Sequence, residues 1–164
     1  MSLTTDMRQS WTGHRAVVRR HLSRGRSEPF VFTFLFVFMI LAFISLYPRA
    51  ARIALENPEI PLAAQLLGLA YGILIFLPIA YALAALSHII ARALGARGTW
   101  YGARLALFWS LVAAAPVMLL QGLVVGVIGM GTQSFLVGIL WLTAFVVFWA
   151  LALVEVYSGA HDEP

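Results

Sequence analysis

His88 and Arg92 stand four residues apart, which puts an imidazole and a guanidinium on one face of a helix. Arg97, Thr99, Trp100, Tyr101 and Arg104 follow within twelve residues, around Gly95 and Gly98. A His–Arg pair beside a turn suits an anion or a phosphate headgroup. The plainer reading is an interfacial hairpin in which the glycines permit a reversal, Thr99 caps the next helix and Trp100 and Tyr101 join an aromatic belt. His88 lacks a second His or carboxylate at ligand spacing, so no metal is expected there. The chain has no cysteine, which removes disulfides, thiolate metal sites and a Cys nucleophile.

A second basic cluster lies near the start. Trp11, Val18 and Leu22 fall at helical spacings on one face, with Arg15, Arg19, Arg20 and Arg24 around them. The pattern predicts a basic amphipathic helix over residues 1–28, ending near Gly25 and lying at a membrane surface. Each Arg there contributes about 1 kcal/mol toward an anionic surface. It reads either as a docking arm for a lipid or partner, or as a topology signal alone.

Polar residues set within the apolar runs include Ser45, Gln65, Ser110, Gln121 and Thr143. Such groups usually join helices. Gln121 precedes Gly122 and Gly126, and Gly68 and Gly72 repeat that spacing, so both pairs are expected to pack helices. No Asp, Glu, Lys or Arg falls at the centre of a run, which argues against ion-coupled transport. Glu155 is the one carboxylate near an end, level with Arg104, and an ion pair between them is expected. No Ser–His pair at matched depth, HExxH motif or paired intramembrane carboxylate is present, so no catalytic residue and no cofactor is expected.

The elements that position these groups follow from composition. The 164 residues are 62% apolar and 11% charged, against about 45–50% and 25% in soluble domains. A small soluble domain cannot hide that much apolar surface. Uncharged runs predict an all-α membrane protein, a bundle of about four transmembrane helices near 29–47, 62–91, 101–128 and 134–156, with Pro48 stopping the first. The membrane domain spans 29–157, and 158–164 form a short acidic tail. Pro78 and Pro116 fall near the midplane, where neighbouring helices tolerate them.

All eleven basic residues are arginines. Nine lie before the first run or around the connection between the second and third, and two, Arg49 and Arg52, lie at the opposite ends. The positive-inside rule then places both termini in the cytoplasm. Arginine in place of lysine, with the Ala and Gly content, points to a GC-rich bacterial genome and so to a bacterial inner membrane. The net charge of +4 flanks apolar runs instead of covering a folded face, so nucleic acid is not an expected partner.

The stretch from Leu86 through Arg104, with Gly95, Gly98, Thr99, Trp100 and Arg104 and then Pro116, resembles the bacterial branch of the Yip-one family of Ypt/Rab-interacting membrane proteins. The likeness covers residues 60–125, and elsewhere only the layout. Family members have five spanning segments against four here. The Asp-Leu-Tyr-Gly-Pro segment of eukaryotic members is absent, so Rab binding is not carried over. The resemblance implies a non-enzymatic role in membrane organisation. The expected function is a membrane scaffold or accessory protein associating with lipids, other membrane proteins or itself. The alternative is a small transporter or channel.

Overall fold

The computed structural model describes residues 2–158, which are all-helical with no strand among them. Five helices follow in order: α1 Leu3–Leu22, α2 Glu28–Glu56, α3 Leu62–Ala93, α4 Trp100–Val127 and α5 Thr132–Ser158. The last four are long and apolar enough to cross a membrane. At about 1.5 Å per residue they run roughly 40–48 Å, more than the ~30 Å of hydrocarbon. Each therefore has a turn or more to spare beyond the lipid core. Of the expected acidic tail only Ser158 is described, as the last residue of α5.

The sequence predicts a stop at Pro48, and here the structure differs. Helix α2 continues through that proline to Glu56. Proline deletes a backbone donor and crowds the carbonyl four residues back, which neighbouring helices can offset in a bundle. The neighbour here is α4. A Cβ built on Gly126 would collide with Pro48, and one on Gly122 with Ser45, so the two glycines let the backbones approach. The Ser45 hydroxyl donates to the Met118 carbonyl across this seam at 2.7 Å.

Helix α4 is the axis of the molecule. From Tyr101 to Ala115 every residue except Arg104 is buried, Trp109, Phe108 and Leu105 completely. It packs most extensively on α2 and α5, with α3 and α1 closing the remaining sides. Beyond Pro116 much of its surface is exposed. The bundle is thus tight at the α1 end and loose at the other.

Helix α3 shows the same asymmetry. Its buried residues, Ala80, Ala84, Ser87 and His88, all lie in its second half. The first half stands off α2 and leaves an apolar cleft of about 300 Å³, lined by Met39, Ala42, Leu46, Gly68, Gly72 and Ile73 among others. Gly68 and Gly72, expected to pack a helix, instead face this space, and a Cβ on either would meet nothing within 4 Å.

At the α3–α4 connection Gly95 takes φ +83°, open to glycine at no steric cost. Thr99 then caps α4, its hydroxyl oxygen accepting from the Gly102 amide at 3.0 Å.

Candidate functional site

Helix α1 is not one rod. Gly13 leaves the helical region (φ −157°, ψ 57°) and divides it into two arms, 3–12 and 14–22. In a straight helix Asp6 and Arg20 would lie about 21 Å apart. They are instead 2.5 Å apart, Arg20 Nη2 to Asp6 Oδ1, and Arg20 also donates to Gln9 Oε1 at 3.0 Å. The amphipathic segment is therefore a helical hairpin folded back on itself.

The hairpin seats on α4 and α5. Trp109 Nε1 donates to Ser10 Oγ at 3.1 Å, and Ser10 in turn donates to the Asp6 carbonyl at 3.0 Å. His14 stacks on Phe148 with ring centroids 4.7 Å apart. Ser110 Oγ lies 3.4 Å from His14 Nε2 and donates to the Ala106 carbonyl at 2.7 Å. With that proton committed, the Ser110 oxygen is left to accept from His14 Nε2–H. His14 Nδ1 is then buried without a partner. His21 lies edge-on to Trp109 at 4.5 Å and close to Phe34, with Nε2 3.8 Å from Asp6 Oδ2. Neither of its ring nitrogens is hydrogen-bonded.

Burial pushes both imidazoles down to about 4. For His14 the neighbouring His21 adds to the effect. For His21 the Asp6 carboxylate opposes it, while Arg24 and Arg20 reinforce it. Both are neutral at pH 7, as desolvation in an aromatic setting requires.

The second anchor is electrostatic. Glu155, 3% exposed, accepts from Arg15 Nε at 2.8 Å through one carboxylate oxygen and from Arg19 Nε at 2.6 Å through the other. Arg15 and Arg19 are one turn apart on the second arm, which lets them take the two oxygens together. The hydrogen bond to Glu155 raises the already high Arg19 pKa. This corrects the expected Glu155–Arg104 pair: Arg104 pairs with Glu28 instead. Depth matched Glu155 to Arg104, but the hairpin covers that side of α5 and Arg104 faces the start of α2.

The expected lipid-facing arm is corrected by the same geometry. Arg15, Arg19 and Arg20 are spent on carboxylates, and Val18 is buried with Val17 inside the bundle. Trp11 stays half-exposed, its ring edge-on to Phe148 at 5.1 Å. Arg24 lies over the Phe30 ring, 5.7 Å from its centroid, and the Tyr101 hydroxyl donates to the Gly25 carbonyl at 3.2 Å.

The His88–Arg92 pair is also not an open anion site. His88 is buried, with Nδ1 2.8 Å from the Tyr157 hydroxyl and its ring 4.2 Å from Trp100. Arg92 and Arg97 point outward without an ion pair among the described residues. Gln121 reaches toward Gly138, and its Oε1 is buried with no hydrogen bond.

The sequence reading finds no Ser–His pair at matched depth, yet folding α1 inward creates one, Ser110 with His14. Its geometry does not suit nucleophilic catalysis. Ser110 is fully buried, its proton is held by a backbone carbonyl, and Asp6 bonds Arg20 instead of orienting His14. No group of three or more metal-ligating side chains occurs among the described residues. The junction is an aromatic-walled polar lock, fastened by ion pairs, that joins the hairpin to the bundle. No protein-family model, curated protein or solved structure matches the chain.

Proposed function

We propose that this chain is a non-enzymatic scaffold or accessory protein of a bacterial cytoplasmic membrane, with both termini cytoplasmic, associating with lipids and with other membrane proteins or itself. The Glu155 clamp carries the reading. A buried carboxylate of the last helix holds two arginines of the N-terminal arm, which makes the basic hairpin a fixed ledge of the membrane domain. Around that end Arg8, Arg24, Arg26, Arg92 and Arg97 have no acidic partner among the described residues. Such unpaired arginines suit an anionic leaflet at about 1 kcal/mol per Arg. The nine-to-two arginine bias supports the orientation. The Yip-one-like layout, a cytoplasmic arm ahead of a helical membrane domain, supports the class.

Extraction in polymer-bounded native membrane particles tests this. The expected result is an oligomer or a reproducible membrane-protein companion, with anionic lipid enriched over the bulk. A monomer accompanied by lipid of bulk composition overturns the reading.

A small transporter or channel is the second reading, favoured by the unpartnered Gln121 Oε1. Against it, the axis is filled by Trp109, Phe108 and Leu105, and the cleft is lined by apolar residues. Liposome flux that disappears in Gln121→Leu would establish it.

A further inference from the structure

We propose that the cleft between α2 and α3 holds one phospholipid, with an acyl chain between the helices and the phosphate on Arg49. This goes beyond the scaffold reading and rests on the membrane-spanning architecture alone.

Shape decides the kind of occupant. Phe38 and Phe76, with ring centroids 5.7 Å apart, close the inner end of the cleft. From Phe38 to Leu46 the wall runs eight residues, about 12 Å, most of the ~15 Å depth of one leaflet. An extended hydrocarbon chain matches a narrow apolar cleft of this length, and a helix from a second copy is one of the outcomes of the test.

Charge decides the headgroup chemistry. Met39, Ala42, Leu46 and Arg49 follow at spacings of three, four and three, one face of α2. In the antiparallel register set by the Phe38–Phe76 contact, eleven residues onward is Arg49 and eleven residues back along α3 is Gln65. Arg49 thus stands at the outer mouth, about 16 Å from the aromatic floor, where headgroups lie, beside Gln65, whose amide donates to the Ile60 carbonyl at 3.4 Å. Arg52 is occupied, donating to Glu56 at 2.8 Å and to the Val127 carbonyl at 3.3 Å. Arg49 is exposed and has no ion pair among the described residues. Glu56 and Glu59 balance the two arginines at this end. The site therefore recognises the phosphate itself, not an excess of negative charge.

The glycines fit the same picture. Gly68 and Gly72 give the chain a smooth wall, and their missing side chains are what leave the space open.

The test reconstitutes the full chain in phosphatidylcholine nanodiscs containing a trace of phosphatidylcholine with a photoactivatable acyl chain. Labelling should concentrate on residues 38–46 and 68–76. Gly72→Leu, which has room for its side chain, should lose that labelling while helicity and particle size stay unchanged. Arg49→Gln should reduce it roughly fivefold, equivalent to the ~1 kcal/mol of one net hydrogen bond lost to the phosphate. The proposal is overturned by label spread evenly over the lipid-facing helices, by labelling unchanged in Gly72→Leu, or by the cleft segments crosslinking to a second copy of the chain.

Discussion

Arg19 Nε lies 2.6 Å from Glu155 Oε1, a contact that closes 136 residues of chain, and Arg15 takes the other carboxylate oxygen. Glu155→Gln removes the charge that holds both guanidinium groups. Amide exchange over residues 3–22 should then accelerate roughly tenfold, the size of one lost charge-assisted hydrogen bond, while α2–α5 keep their protection. Unchanged exchange in α1 would show that the apolar and aromatic contacts hold the hairpin alone.

Acidification should release the same hairpin. His14 and His21 titrate near 4 when docked, against an ordinary value of 6.5. As pH falls below 6.5 the undocked chain takes up protons before the docked one does. Docking is therefore complete above 6.5 and weakens progressively toward 4, by at most about 1.4 kcal/mol per pH unit for each imidazole. Asp6 opposes part of this at His21, whereas Arg20 and Arg24 strengthen it; Phe148, Trp109 and Phe34 supply the apolar walls. Exchange over 3–22, corrected for its intrinsic pH dependence, should rise between about pH 6.5 and pH 4.5. A flat profile in the double variant His14→Phe/His21→Phe would assign the effect to the histidines. A rise of equal size in that variant would remove them as the cause.

The α2–α4 seam should be intolerant of bulk where the α2–α3 cleft is not. Gly122→Val sets a side chain against the Ser45 backbone and should cost about 1–3 kcal/mol in detergent unfolding. Gly68→Val meets open space and should stay close to wild type. Equal losses in both variants would contradict the placement of the two seams.

Pairing at the α1 end is tested by charge exchange. Arg104→Glu should lower stability by no more than about 1 kcal/mol, because Glu28 is largely exposed. Adding Glu28→Arg should restore it, and adding Glu155→Arg should not. Rescue by the Glu155 change instead would reinstate the pairing that depth alone predicts.

Much of the architecture was legible in the residue pattern, because hydrocarbon tolerates few charges and four uncharged runs leave little choice. The Thr99 cap was legible for a local reason, a hydroxyl placed to accept from the amide three residues on. The continuation of α2 through Pro48 was not. It depends on glycines in α4, some eighty residues away, that make room for the proline.

The junction was hidden for the same kind of reason. One glycine in a helical pattern does not announce a fold-back, and the groups that reward it, Glu155, Trp109 and Ser110, lie far along the chain. Gly68/Gly72 and Gly122/Gly126 share a spacing but not a fate. Spacing gives the face of a helix, and only the neighbour decides whether that face is filled. Depth likewise put Glu155 beside Arg104 without giving the direction around the helix axis.

The clamp joins a segment that a ribosome releases before α2 to one that it releases after α4. The arm made of residues 3–22 must wait, without its final seat, until the fourth membrane crossing has been threaded and Glu155 has arrived. Closure of the arm thereby marks a chain inserted as far as α5. A polypeptide stalled before α5 would leave its basic arm without that seat.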